Sequence, residues 1–144
     1  RIPLIVVAPG VAKPGSATRQ LAETVDIFPT LAGLAGLPAP SGPQPIDGVS
    51  LVPVLRNPKA RVRDHAFHAH PRGRKLGRAI RTQRYRLVEW RNHSDPDAGV
   101  DYELYDYKTD PWETQNHHAA KPKAAEKLKA ILAKYPAPKP RTRR

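Results

Sequence analysis

Residues 2–8 read IPLIVVA, a continuous apolar run closed by Pro9-Gly10, and it restricts the fold more than any other stretch of the chain. A β-branched run with no polar alternation predicts a strand covered on both faces, as in the middle of a parallel sheet. Nothing else in the 144 residues repeats that pattern, so the strand has no evident parallel partners within the sequence. The expectation is a segment of a longer protein whose neighbouring strands lie N-terminal to it. Two features agree: the sequence contains no Met and opens Arg1-Ile2-Pro3, without a charged leader followed by an apolar stretch. No apolar run approaches the roughly 18 residues of a membrane span, so a soluble segment with no membrane partner is expected.

Residues 26–35 (DIFPTLAGLA) predict a helix, with Asp26 as N-cap and Pro29 in the first turn, where no intrahelical N–H is lost. Ile27, Leu31 and Leu34 fall on one face. Ala32, Gly33 and Ala35 suit close packing against a sheet, and Gly36 followed by Pro38 ends the helix. Residues 38–50 are rich in Pro and Gly and read as a connector. A helical turn at 51–55, stopped by Asn57-Pro58, completes the boundary between two units.

Beyond it the pattern changes to short strands at 66–69, 78–82, 85–90 and 102–107, with Gln83-Arg84 spaced for a tight hairpin. Together they predict a small antiparallel sheet of about four strands. In the last strand Tyr102, Leu104 and Asp106 share one face, and Glu103, Tyr105 and Tyr107 the other. Asp110-Pro111-Trp112-Glu113 reads as a helix start: a cap, a Pro at the first helical position and a capping-box acid. Residues 122–135 form an amphipathic helix whose stripe of Leu128, Ile131, Leu132 and Tyr135 would cover one face of the sheet. The fold class expected is therefore α/β in the α+β sense, followed by a disordered basic tail at 136–144.

The formal net charge of +12, from 25 Lys+Arg against 13 Asp+Glu, is unevenly placed. Residues 72–86 hold seven basic side chains and no acid, and residues 121–144 hold nine against Glu126 alone. The remainder is mildly acidic. Such clusters suit a polyanion, either nucleic acid or sulfated sugar, and equally a solvated face with a disordered end. The absence of Cys excludes disulfides, thiolate metal sites and a Cys nucleophile within the chain.

Few constellations carry chemistry. His68 and His70 would project to the same side of a strand, where two imidazoles share a metal, but no third ligand is near and ordinary packing is the preferred reading. The adjacent His117 and His118 diverge. No paired carboxylates, Gly-rich phosphate loop or nucleophile elbow is present, so no catalytic residue is assigned within this segment. Arg72, Arg74 and Lys75 in PRGRKLG form a flexible basic loop between strands, and guanidinium groups suit two-point recognition of sulfate, carboxylate or phosphate.

In this order the motifs resemble the C-terminal portion of the sulfatase family, in its iduronate-2-sulfatase-like branch. The matching segments are residues 2–10 (IPLIVVAPG), 24–36 (TVDIFPTLAGLAG) and 47–55 (DGVSLVPVL). Further on come Pro71-Arg72, 77–90 (GRAIRTQRYRLVEW), 103–106 (ELYD) and 110–116 (DPWETQN). The resemblance implies an alkaline-phosphatase-like fold. Residues 1–57 would end its large α/β domain with one buried strand and a helix. Residues 58–135 would be its small antiparallel-sheet subdomain with a C-terminal helix.

It also implies sulfate-ester hydrolysis, of sulfated carbohydrate, by a formylglycine made in a C/S-x-P-x-R motif and by a calcium ion. Both groups belong to an N-terminal catalytic part, with no cofactor bound by this segment, so the segment alone should be inactive. On that reading Arg72, Lys75 and His70 reach the mouth of the cleft and touch an anionic sugar. An exported or lysosomal location follows from the same resemblance. A related phosphonate or phosphodiester hydrolase, and a small basic polyanion-binding protein, are the alternatives.

Overall fold

In the computed structural model, which describes residues 2–92, 94–95 and 97–137, alternating apolar positions pair four segments into one antiparallel sheet. The strands are β1 (Ala66–Arg72), β2 (Lys75–Arg81), β3 (Tyr85–Asn92) and β4 (Asp101–Asp106), in the order β1-β2-β3-β4. Their register sets Phe67, Ile80, Leu87 and Leu104 in one cross-strand row. Because side chains alternate across a strand, that row and its i±2 neighbours share one face. Three helices accompany the sheet: α1 (Ile27–Leu34), α2 (Val52–Arg56) and α3 (Pro122–Leu132), the last opened by Pro122. The core packs Ile80, Leu87 and Leu104 against Ala125, Leu128 and Leu132 of α3, with Ile131 and Tyr135 at its margin. Each large side chain buried there contributes about 1.5–3 kcal/mol relative to exposure.

The same face buries a charge pair. Arg78 donates to Glu89 Oε1 from Nε at 3.1 Å and Nη2 at 2.6 Å, and from Nη1 to the carbonyls of Tyr135 (3.2 Å) and Pro136 (2.7 Å). Tyr102 and Arg91 donate to the same carboxylate. One guanidinium thus ties β2 and β3 to the backbone just beyond α3. A buried charge is tolerated because its hydrogen-bonding capacity is met. Burial pushes the Glu89 carboxyl up, but the hydrogen bonds from Arg91 and Arg78 outweigh it and hold the group below its usual range.

Two tight turns shape the sheet. At Gln83-Arg84 the Thr82 N–H donates to the Tyr85 carbonyl at 2.8 Å, and Thr82 Oγ1 accepts from Tyr85 N–H at 2.9 Å, so the hairpin forms without Asn-Gly. The second corrects an expectation. β1 and β2 run on to Arg72 and Lys75, which pair directly, and the basic loop shrinks to Gly73-Arg74. Gly73 adopts φ +59° at the first of two turn positions, the place where a type II′ hairpin needs glycine. Pro71 fits because β1 is an edge strand.

No helix begins at Asp110. Its carboxylate accepts instead from Thr114 Oγ1 (3.1 Å) and Gln115 N–H (2.9 Å), and Glu113 takes φ +59°. Glu113 pairs with Arg86 and accepts from the Tyr107 hydroxyl rather than closing a capping box.

The chain divides into two compact units, one ending at Asp64 and one beginning at His65, which carries the sheet and α3. In the first unit, residues 2–8 form no strand: they run unpaired, with Ile5 and Val7 87% and 86% exposed. A strand is defined by its ladder, and none of the described residues offers this one an edge. Asp26 stands at the N-cap position of α1, as expected, but it is also the third residue of a 3₁₀ turn (Thr24–Asp26) and its side chain makes no cap hydrogen bond to α1. Fully buried, it accepts from Glu23 N–H (2.8 Å) and Val49 N–H (2.9 Å) and pairs with Arg63.

Thr30 Oγ1 donates to the Asp26 carbonyl at 2.6 Å and accepts from Leu51 N–H at 2.8 Å. These bonds fix the rotation of α1. Its buried side is Pro29, Thr30 and Ala32; of the expected inward stripe Ile27 and Leu31 face out and Leu34 is half-buried, and Phe28 is exposed as well. The tail at 138–144 lies outside the described residues. Among those described, no helix is long and apolar enough to cross a membrane.

Candidate functional site

Alternation leaves the sheet with a second face, turned away from the row that α3 covers. Its first cross-strand row is His70–Gly77–Trp90–Asp101, flanked by Arg72–Lys75–Asn92 on one side and His68–Ala79–Val88–Glu103 on the other. The three residues expected to meet an anionic sugar, His70, Arg72 and Lys75, therefore share one face and come together beside Trp90. The Arg72 guanidinium carbon lies 5.9 Å from the Trp90 ring centroid, within range of a cation–π contact. Around the hairpin opens a groove of about 960 Å³, whose walls include Arg72, Arg74, Lys75, Trp90, Asn92 and Tyr102.

Charge on this face is selectively neutralised. Lys75 pairs with Asp101 and Arg86 with Glu113. Among the described residues, Arg72 and Arg74 have no carboxylate partner. Guanidinium groups of this kind suit an anion with paired oxygens. Lys75 differs from Arg72 and Arg74 in that Asp101 holds its ammonium.

Other groups on or beside the face are tuned by burial. Tyr105 is pushed up to about 12 by desolvation and the nearby Glu103 carboxylate, which accepts its hydroxyl at 3.1 Å. His118 stacks on Tyr102 with centroids 5.2 Å apart, and burial together with the Lys129 charge lowers its pKa.

The rings of His68 and His70 lie 6.0 Å apart and nearly parallel. Among the described residues no third His, Asp or Glu joins them in a group that would hold a metal. These side chains do not fit calcium, nor does a Cys-free chain hold the Cys form of the C/S-x-P-x-R motif. Nothing in the local sequence marks Trp90 as part of a site, although its register opposite Gly77 follows from the Gln83-Arg84 turn.

Comparison with known proteins agrees with this architecture. A protein solved in complex with its substrate D-glucosamine-2-N,6-O-disulfate superposes with a TM-score of 0.72 at 29% identity, over 88% of this chain and 26% of that one. The phosphonate monoester hydrolase of Agrobacterium radiobacter gives a TM-score of 0.57 at 27% identity, over 80% of this chain and 25% of its own. The fold is thus that of the C-terminal part of this class of hydrolase.

The family model described as N-sulphoglucosamine sulphohydrolase, C-terminal, matches residues 1–136. The N-acetylglucosamine-6-O-sulfatase of Bacteroides thetaiotaomicron is 33% identical over 140 residues, 92% of this chain and 24% of that protein. The chain belongs to the sulfatase family, as its C-terminal segment. It spans about a quarter of the length of the relatives it matches.

Proposed function

We propose that this chain is the C-terminal subdomain of a sulfuric ester hydrolase acting on sulfated carbohydrate, and that it is inactive by itself. The observation that carries the reading is the pair of guanidinium groups, Arg72 and Arg74, left without carboxylate partners among the described residues, on the open face of a sulfatase-family sheet. Hydrolysis needs a nucleophile and a cation to neutralise the sulfate oxygens. Formylglycine and calcium in an N-terminal catalytic part would supply both. The uncovered Ile5, Val7, Phe28 and Leu31 of the first unit form the apolar surface such a part would bury.

The role of the basic hairpin is to hold the anionic sugar, with Arg72 and Arg74 as ligands and His70 and Lys75 beside them. The finer, iduronate-2-sulfatase-like assignment rests on the order of the motifs. A glucosamine 6-sulfate is the competing substrate, since a relative bears that activity in its name. In the protein joined to its catalytic part, Arg72→Ala is expected to raise KM for a sulfated disaccharide about tenfold with little change in kcat, as loss of uniform binding does. An unchanged KM removes the hairpin from the substrate site. A phosphonate or phosphodiester hydrolase is the second reading, favoured by the 27% identical structural neighbour. Preference for a phosphonate monoester over a sulfate ester in the same assay would select it.

A further inference from the structure

The face that bears Arg72 also carries an aromatic surface that the charge argument does not use. Gly77 and Trp90 are directly opposed on β2 and β3, and a Cβ at Gly77 would stand 2.6 Å from Trp90 Cζ3 and 2.9 Å from Cε3 and Cη2. The benzo edge of the indole therefore lies on the glycine backbone. Gly77 is in the body of a strand at ordinary φ, so the close approach of the ring, not a turn, is what requires it. The ring stays half-buried and walls the groove of about 960 Å³. Arg72 stands at 5.9 Å from its centroid, with the His70 position next in the same row.

We infer that Trp90 is a stacking platform for a pyranose ring, set so that an anionic substituent on the ring's edge meets Arg72 and Arg74. A pyranose presents an apolar face of C–H groups and a polar rim. An indole face beside two guanidinium groups complements both, whereas a bare polyanion site needs no aromatic wall. The inference rests on the sulfated-carbohydrate reading above and names the residue that would select a sugar over a free sulfate ion.

The test is calorimetric titration of the full chain with a sulfated glucosamine–uronate disaccharide, its desulfated counterpart and inorganic sulfate. Saturable binding of the disaccharide, stronger than that of inorganic sulfate, is expected. Trp90→Phe should retain affinity within about twofold and Trp90→Leu should lose about tenfold, the scale of one aromatic stack. Arg72→Ala should weaken the sulfated disaccharide more than the desulfated one, and equal losses overturn the placement of the anionic substituent at Arg72.

Wild-type affinity in Trp90→Leu, or no binding by the chain, overturns the platform. If Trp90→Leu loses the circular dichroism of the sheet, fluorescence of Trp90 in the Trp112→Phe chain decides: quenching by the disaccharide supports the platform and its absence overturns it. Sulfate release by the joined enzyme with an unchanged KM in Trp90→Leu would defeat the platform and leave the sulfatase reading. Disaccharide binding by the chain with an inactive joined enzyme would do the reverse.

Discussion

Asp106 is fully buried at the end of β4 and pairs with two cations, Arg84 and Lys121. Arg84 donates to its two oxygens at 2.9 and 2.8 Å, Lys121 donates a further bond, and the Lys108 N–H a fourth at 3.1 Å. The hydrogen bond from Arg84, with those from Lys121 and Lys108, outweighs burial and holds the carboxyl well below its usual range. A folded pKa below the unfolded value of ~3.9 means the stabilisation is present above that value and is lost as pH falls through the folded pKa. Urea unfolding across a pH series should therefore show stability level down to about pH 5 and declining below it. Asp106→Asn should unfold more readily at neutral pH, by on the order of 2 kcal/mol, with a flatter acid limb. An unchanged acid limb would show that the charge contributes nothing.

The alternation of the YELYDY strand was readable and put Asp106 on the face of Leu104. Its partners, 15 and 22 residues away in sequence, were not, because ion pairs follow tertiary placement and leave no local pattern. For the same reason Asp26 read as a helix cap although its partner Arg63 lies 37 residues on.

At the scale of elements, the sheet shows what a sequence pattern can and cannot specify. Once Gln83-Arg84 is taken as the turn, the register puts Gly77 opposite Trp90, Ile80 opposite Leu87 and Ala79 opposite Val88. The α3 stripe followed from helical periodicity and meets Ile80 and Leu104 as it should. Where local grammar failed, a longer-range partner had won: Asp110-Pro111-Trp112-Glu113 has every mark of a helix start, yet Glu113 goes to Arg86 and Tyr107 instead.

The Gly77–Trp90 contact yields a quantitative check at this scale. Gly77→Ala is expected to cost about 1–3 kcal/mol by overpacking against the indole. Combining it with Trp90→Leu should cost less than the sum of the two single changes, because the clash is gone. Additive losses in thermal unfolding would mean that the ring and the glycine are independent.

For the whole molecule, the two units differ in how far their own residues complete them. The second buries a row of apolar side chains under α3 and pairs its buried carboxylates Glu89 and Asp106 with cations. The first leaves Ile2, Ile5, Val7, Phe28 and Leu31 exposed. The IPLIVVA run was legible as a strand-forming sequence but not as a strand, since pairing is a property of two segments and none of the described residues pairs with this one. The family was legible because seven short motifs kept their order. The candidate site was legible only as charge. Arg72, Lys75 and His70 were singled out, while Lys75's engagement by Asp101 and the presence of Trp90 emerged from the register.

The dependence of this segment on a catalytic part is the claim on which the account turns. It is tested by measuring sulfate release from a sulfated disaccharide by two proteins: the chain alone, and the product of its reading frame extended upstream to include a C/S-x-P-x-R motif. Turnover is expected from the extended protein, abolished when the Cys or Ser of that motif is replaced by Ala, and none from the chain alone. Sulfate release by the chain alone, or an extended protein that hydrolyses no sulfate ester, would contradict it.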